Sequence, residues 1–101
     1  MHLIQILLPL RDNEGRPFEA AAYGRVRGEL AERFGGVTAF TRAPAEGTWM
    51  EDGQTSRDDI VVVEVMVEAL DRAWWRVYRA DLERRFRQDA IVVRAMPVEM
   101  L

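Results

Sequence analysis

The chain has 101 residues, enough for one domain, and we treat residues 1–101 as a single domain. It contains no cysteine, which excludes disulfides and thiolate metal sites. The net charge of −3 argues against nucleic acid or an anionic membrane as a partner. Every basic residue is arginine, and we interpret this as codon bias in a GC-rich genome.

The first half of the chain predicts a strand, a helix and a second strand. Residues 3–8 are mostly apolar, end at Pro9 and predict the first strand. They lack the basic start of a signal peptide and are too short to span a membrane. We therefore expect a cytoplasmic protein. Pro17 suits the first turn of a helix, and Gly35 with Gly36 suits its end. Between them, an apolar residue recurs every four positions. Residues 37–43 alternate and predict the second strand.

The second half begins with a long connection, residues 44–57. We expect it to fold over, or reach beyond, its own sheet with Trp49 buried as an anchor; the alternative is a mobile hairpin tip with Trp49 half exposed. Residues 60–67 are then apolar at every position except Glu64, which is typical of a central strand covered on both faces. Asp71 is a suitable N-cap for a second helix that extends to about Gln88. Residues 90–96 predict the last strand.

This order, β-α-β-β-α-β, predicts the fold class. Two right-handed crossovers interleave to give a ferredoxin-like α+β sandwich, with a four-stranded antiparallel sheet of order 4-1-3-2 and two helices on one face. Successive residues of a strand point to opposite faces, so each strand divides into two sets. One set is entirely apolar and should face the helices. The other is apolar around a polar centre made of Gln5, Glu64 and Arg94 on three adjacent strands.

That second face is too apolar to lie bare in water, and three interpretations differ in class. The first is a homodimer whose sheets pack face to face around a structural ion pair of Glu64 and Arg94. The second is a small-molecule-binding protein or cofactor-independent enzyme with its site on this face. The third, RNA binding, is disfavoured because the central strands carry no aromatic residue.

If this face holds a ligand-binding or catalytic site, its titratable and charged side chains are the candidate functional residues. Glu64 is the candidate catalytic residue, as a general base, with Arg94 or Arg42 stabilising a developing oxyanion. Gln5 completes the polar set, and Phe40 and Trp49 are the expected apolar walls. With a single histidine and no Gly-rich phosphate loop, we expect no metal and no cofactor.

One pattern resembles a known group of proteins. Residues 33–38 read Arg-Phe-Gly-Gly-Val-Thr, residues 47–49 read Gly-Thr-Trp, and residues 86–88 read Phe-Arg-Gln before the last strand. The pattern is similar to one in small bacterial ferredoxin-like proteins of unknown function and covers roughly the central third of the chain. The resemblance implies a dimeric α+β barrel and brings no activity with it.

Overall fold

The computed structural model describes the backbone of residues 1–42, 50–51, 54–55 and 60–101, and the side chains of residues 1–38 and 60–101. The described strands are β1 (His2–Pro9), β2 (Thr38–Arg42), β3 (Met50–Glu51), β4 (Gln54–Thr55), β5 (Ile60–Val67) and β6 (Val92–Pro97). The described helices are α1 (Ala20–Phe34) and α2 (Arg72–Arg85). The chain is therefore an α+β protein.

Four of these strands form the main sheet, in the order β2-β5-β1-β6, and every neighbouring pair is antiparallel. The central strands β1 and β5 are the most apolar, as expected for strands with a neighbour on each side. Strand β6 lies at an edge and ends at Pro97, which suits a residue that cannot donate to a ladder.

The predicted fold class, a ferredoxin-like βαββαβ chain with all its strands in one four-stranded sheet, is wrong. The described chain has eight elements, and β3 and β4 form a second, two-stranded sheet. They arise in residues 44–57, which we predicted as a connection, where Met50 pairs with Thr55 and Glu51 with Gln54. The two residues between them in sequence are Asp52 and Gly53, a pair that short hairpin connections strongly prefer. Sequence reasoning overlooked this signal.

The core lies between the main sheet and both helices. In the sheet, the core comprises every second residue of β1 and β5. In the helices, it comprises the residues of α1 and α2 that face the sheet. Phe86 and Ile91 extend it beyond the end of α2. Its buried members are Ile4, Ile6, Leu8, Tyr23, Val26, Leu30, Val61, Val63, Val65, Val67, Trp75, Tyr78, Leu82, Phe86 and Ile91. Since the helices cover only this side, the opposite side of the sheet carries none of the helices that the structure describes.

The helix ends test the predicted caps. Asp71 caps α2 as predicted, since its side chain accepts a hydrogen bond from the Trp74 backbone N–H at 3.1 Å. Gly35 ends α1 in the left-handed conformation, with φ of 81°, as predicted. Helix α1 begins at Ala20, three residues later than Pro17, because Pro17 forms a β-bridge with Arg11 instead. Helix α2 ends at Arg85, before the predicted Gln88.

No helix in the described parts of the chain is long and apolar enough to cross a membrane.

Candidate functional site

The candidate site lies on the side of the main sheet away from the helices, which we call the open face. The antiparallel register places Gln5 of β1 opposite Glu64 of β5 on one side and opposite Arg94 of β6 on the other. On the same three strands, apolar side chains flank the polar row: Leu3, Leu7, Val62, Met66, Val92 and Met96. Thr38 of β2, which pairs with Glu64, adds a polar side chain to this face.

Hydrogen bonds connect the three residues of the polar row, from Arg94 through Gln5 to Glu64. Arg94 Nε donates to Gln5 Oε1 at 2.8 Å, and Gln5 Nε2 donates to Glu64 Oε2 at 2.7 Å. The amide suits this position, because a guanidinium can only donate and a carboxylate can only accept. We call this arrangement the relay. It replaces the direct Glu64–Arg94 ion pair of the first interpretation with a bridge through Gln5.

Among the described side chains, the hydrogen bond that fixes Glu64 comes from Gln5. Because Arg94 is charged, it polarises the Gln5 amide, and this strengthens the bond that the amide donates to Glu64. Glu64 is half-buried, whereas Arg94 is exposed. The carboxylate is therefore held in a defined orientation while remaining accessible, which is the arrangement that a binding group requires.

A groove of about 590 Å³ lies beside Glu64. Leu3, Glu64 and Met66 of the open face form one wall, and the turn from α1 into β2 forms the other, through residues 34–38. This turn stays close to the sheet because Gly35 adopts a positive φ and donates its N–H to Ala31 O at 2.8 Å. The groove combines one carboxylate with apolar walls and the polar Thr38.

A second groove, of about 770 Å³, lies at the other end of the same strands, where Leu7 and Val92 meet the loop after β1. Its carboxylate, Asp12, serves the loop itself by accepting from the backbone N–H groups of Glu14 and Arg16, each at 2.9 Å. The bond from Arg16 is the main reason that the pKa of Asp12 lies below its ordinary value. We therefore interpret Asp12 as a structural residue.

The polar cluster between the two helices was not predicted. Arg85 of α2 donates to both carboxylate oxygens of Glu29 on α1, at 2.6 and 2.7 Å, and contacts Asp81 at 2.7 Å. Tyr78 donates to Glu29 at 3.1 Å. The Arg85 hydrogen bonds lower the pKa of Glu29, whereas burial and the Glu29 charge raise the pKa of Tyr78. The spacing of Asp81 and Arg85 was visible in the sequence, but their partner on the other helix was not.

The structure brings three of the predicted site residues together: Gln5, Glu64 and Arg94. The backbone of Phe40 pairs with Val62, and that of Arg42 pairs with Ile60, whereas Thr38 is the residue of β2 that lies opposite Glu64. Arg42 is therefore roughly 13 Å along the strand from the position beside Glu64. The side chains of Phe40 and Arg42, and the whole of Trp49, lie outside the described residues.

Sequence reasoning missed the wall formed by residues 34–37. The sequence predicts Phe34 within a helix, Gly35 and Gly36 at its end and Val37 in the second strand. Only the return of this turn to the sheet places the four residues beside Glu64. The two adjacent glycines were the available signal, since they mark a sharp reversal but not its destination.

No protein-family model matches the chain, and no curated protein matches it. Among solved structures, it is similar to a phage SAM lyase in complex with S-methyl-5′-thioadenosine, with a TM-score of 0.63 and 14% identity over 94% of this chain and 79% of that chain. It is also similar to a phage SAM lyase in the apo state, with a TM-score of 0.58 and 12% identity over 94% of this chain and 78% of that chain.

At such low identities the likeness shows the fold alone. It supports a small α+β domain of this architecture and gives no support to the bacterial proteins that the sequence pattern suggested.

Proposed function

We propose that this protein binds a small molecule on its open face, in the groove beside Glu64, and that the ligand is a sulfonium or thioether nucleoside. The observation that carries the proposal is the relay. Arg94 and Gln5 orient one carboxylate at the edge of a groove that is otherwise mainly apolar. The similar fold of a lyase with a bound thioadenosine is the reason for choosing this ligand class.

The electrostatics of the groove favour a ligand with a positive charge. Leu3, Met66 and Phe34 reduce the water around Glu64, so its attraction for a cation is stronger than it would be on an open surface. A sulfonium is a weakly hydrated cation with apolar substituents, and it therefore loses little on entering such a groove. A phosphate-bearing ligand would meet the repulsion of Glu64 at the same position.

The same arrangement supports a cofactor-independent reaction of SAM. When a carbon–sulfur bond of the sulfonium breaks, the electron pair returns to sulfur and leaves a neutral thioether. Glu64 would hold the cation in place before this step and accept the proton that the departing fragment releases. In this proposal Glu64 is the catalytic residue, while Gln5 and Arg94 position it.

Calorimetric titration with SAM and with S-methyl-5′-thioadenosine tests the proposal. We expect saturable binding of SAM that weakens at least about tenfold in Glu64→Gln, since a charge-assisted contact is lost. Glu68→Gln, which removes an exposed carboxylate outside the groove, is the matched control and should bind as the wild type does. Chromatography of the same mixtures would detect S-methyl-5′-thioadenosine released from SAM.

Two results would contradict the proposal. One is the absence of binding by both nucleosides to the folded wild type. The other is binding that Glu64→Gln and Glu68→Gln weaken equally, which would place the ligand away from the groove.

A homodimer through the open face is the second candidate, and the exposed apolar side chains of the face favour it. Met66, Val92 and Met96 are 45%, 50% and 38% exposed, which is unusual for three large apolar residues on one sheet face. A second copy of the chain would cover them and would also enclose the groove beside Glu64. The dimer and the ligand site are therefore compatible.

Light scattering distinguishes a dimer from the 11.6 kDa monomer. We expect Val92→Asp to dissociate the dimer, because it places an unpaired charge within the covered surface. Val77→Asp introduces the same charge at an exposed position of α2 and should leave the dimer intact. A wild-type monomer that stays soluble at high concentration would exclude this assembly.

A further inference from the structure

A row of arginines on α2 is not used by the proposed site. Arg72, Arg76 and Arg79 are spaced at i, i+4 and i+7, which places them within about 60° of one another around the helix. All three side chains are exposed. Along the helix axis they span about 10 Å, so their charges act on a single location.

These arginines line a groove of about 220 Å³ between α2 and the edge strand β6. Arg94 also borders it, but the Arg94 side chain leaves β6 on the open face and donates to Gln5, so the guanidinium groups of this groove are those of α2. Its apolar surface consists of buried or half-buried residues of the core and of the turn before α2, together with one small residue of β6: Ile4, Leu70, Trp75, Val93 and Ala95. Among the residues that the structure describes, every charged residue at this groove is therefore an arginine.

The nearby carboxylates of α2 have other partners. Asp71 caps the helix by accepting from the Trp74 N–H, and Asp81 pairs with Arg84 and Arg85. Glu83 accepts from the Ile91 backbone N–H at 3.0 Å. Among the described residues, no ion pair joins Arg72, Arg76 or Arg79 to an acidic side chain. Asp81 and Glu83, which interleave with these arginines in the sequence, therefore bind other groups.

We infer that this groove binds the phosphate groups of a small phosphorylated molecule, of the pyrophosphate or polyphosphate type. Guanidinium groups match phosphate oxygens with paired hydrogen bonds, and several of them around one concave surface suit a multiply charged anion. The volume is below the roughly 300 Å³ at which pockets for whole drug-sized ligands begin, which favours a compact anionic group. The positive charge is a property of this groove and not of the whole protein, whose net charge is −3.

Isothermal titration of the full chain with inorganic pyrophosphate tests this inference. Sodium chloride at equal ionic strength controls for general screening. We expect saturable binding that weakens at least about tenfold in Arg76→Gln, since glutamine keeps the helix propensity but removes the charged donor. Arg27→Gln, at an exposed position of α1, is the matched control and should bind as the wild type does.

A second variant, Arg72→Gln with Arg79→Gln, keeps the test decisive if Arg76→Gln folds poorly by circular dichroism. Equal weakening in Arg27→Gln and Arg76→Gln would overturn the inference. So would a pyrophosphate signal that sodium chloride reproduces, or binding to single-stranded RNA or to anionic vesicles that is tighter than binding to pyrophosphate. Titration of the same variants with SAM separates this groove from the site at Glu64, because we expect nucleoside binding to be unchanged.

Discussion

The two faces of the main sheet are built from the same strands but have opposite characters. Ile6 is completely buried under the helices, while its neighbour Gln5 lies on the open face and hydrogen-bonds Arg94 and Glu64. No polar side chain is buried in the described helix-covered core, whereas the open face places three polar groups at its centre. Because side chains alternate along a strand, one sequence encodes the core and the candidate site residue by residue.

This difference predicts that folding depends mainly on one face of the sheet, and binding or assembly on the other. The helix-covered face contributes stability by burying apolar area, so substitutions there should affect folding. The open face buries Val62 but leaves Met66, Val92 and Met96 exposed in a single copy, so substitutions at its exposed positions should affect binding or assembly. The following substitutions test that division.

The largest effect is expected in the core beneath the helices. Leu82→Ala should lower the free energy of unfolding by about 2–5 kcal/mol, because Leu82 is fully buried and the substitution leaves a cavity. Val77→Ala, on the same helix but 72% exposed, is the control and should change it by less than about 0.5 kcal/mol. Urea unfolding measures both. Similar values for the two variants would show that α2 does not pack as described.

A smaller effect is expected at the polar margin of the helix-covered side. Arg85→Met should destabilise the protein by about 1–3 kcal/mol, since it removes charge-assisted hydrogen bonds between the helices and leaves Glu29 without them. The control is Arg25→Met, because Arg25 is exposed and lies 3.9 Å from the same carboxylate, a contact worth little in water. If Arg25→Met lowers the free energy of unfolding as much as Arg85→Met does, a nearby positive charge is enough to stabilise the cluster, and the hydrogen-bond geometry of Arg85 is not required.

The same cluster predicts a dependence of stability on pH. The hydrogen bonds from Arg85 hold the pKa of Glu29 below its ordinary value of 4.5, so the unfolded chain binds this proton more readily than the folded one. Glu29 therefore contributes stability above pH 4.5, and this contribution is lost as pH falls from there through the lowered pKa. Urea unfolding across this range should show a steeper loss for the wild type than for Arg85→Met. Parallel curves would contradict the prediction, because Asp12 titrates in both proteins.

The smallest effect on folding is expected at the centre of the open face. Gln5→Leu should change the free energy of unfolding by less than about 1 kcal/mol, because Glu64 and Arg94 are both accessible to water once the amide is removed. Binding of SAM should nevertheless weaken, since Glu64 loses the group that orients it. Leu7→Met, which keeps an apolar side chain on the same strand and face but outside the groove beside Glu64, is the control. A loss of stability comparable to that of Leu82→Ala would show that the open face is buried in the folded assembly.

The sequence predicted much of the local structure because local rules decide it. The period of two in β1 and β5, the Asp71 cap and the left-handed Gly35 each depend on a few neighbouring residues. The alternation also identified Gln5, Glu64 and Arg94 as the polar centre of one face. Sequence reasoning failed where a local signal was overlooked, at Asp52 and Gly53 between β3 and β4.

Only the tertiary structure decided how distant residues meet. The sequence by itself determined which side chains leave each strand on the same face, because that follows from backbone geometry. It did not determine that Gln5 bridges Arg94 and Glu64, or that residues 34–37 form a wall of the groove beside Glu64. Nor did it determine that Arg72, Arg76 and Arg79 line a second groove while the acids of α2 bind other groups. Those outcomes depend on strand register and on the packing of α1 and α2, which are set by many weak contacts between residues far apart in the chain.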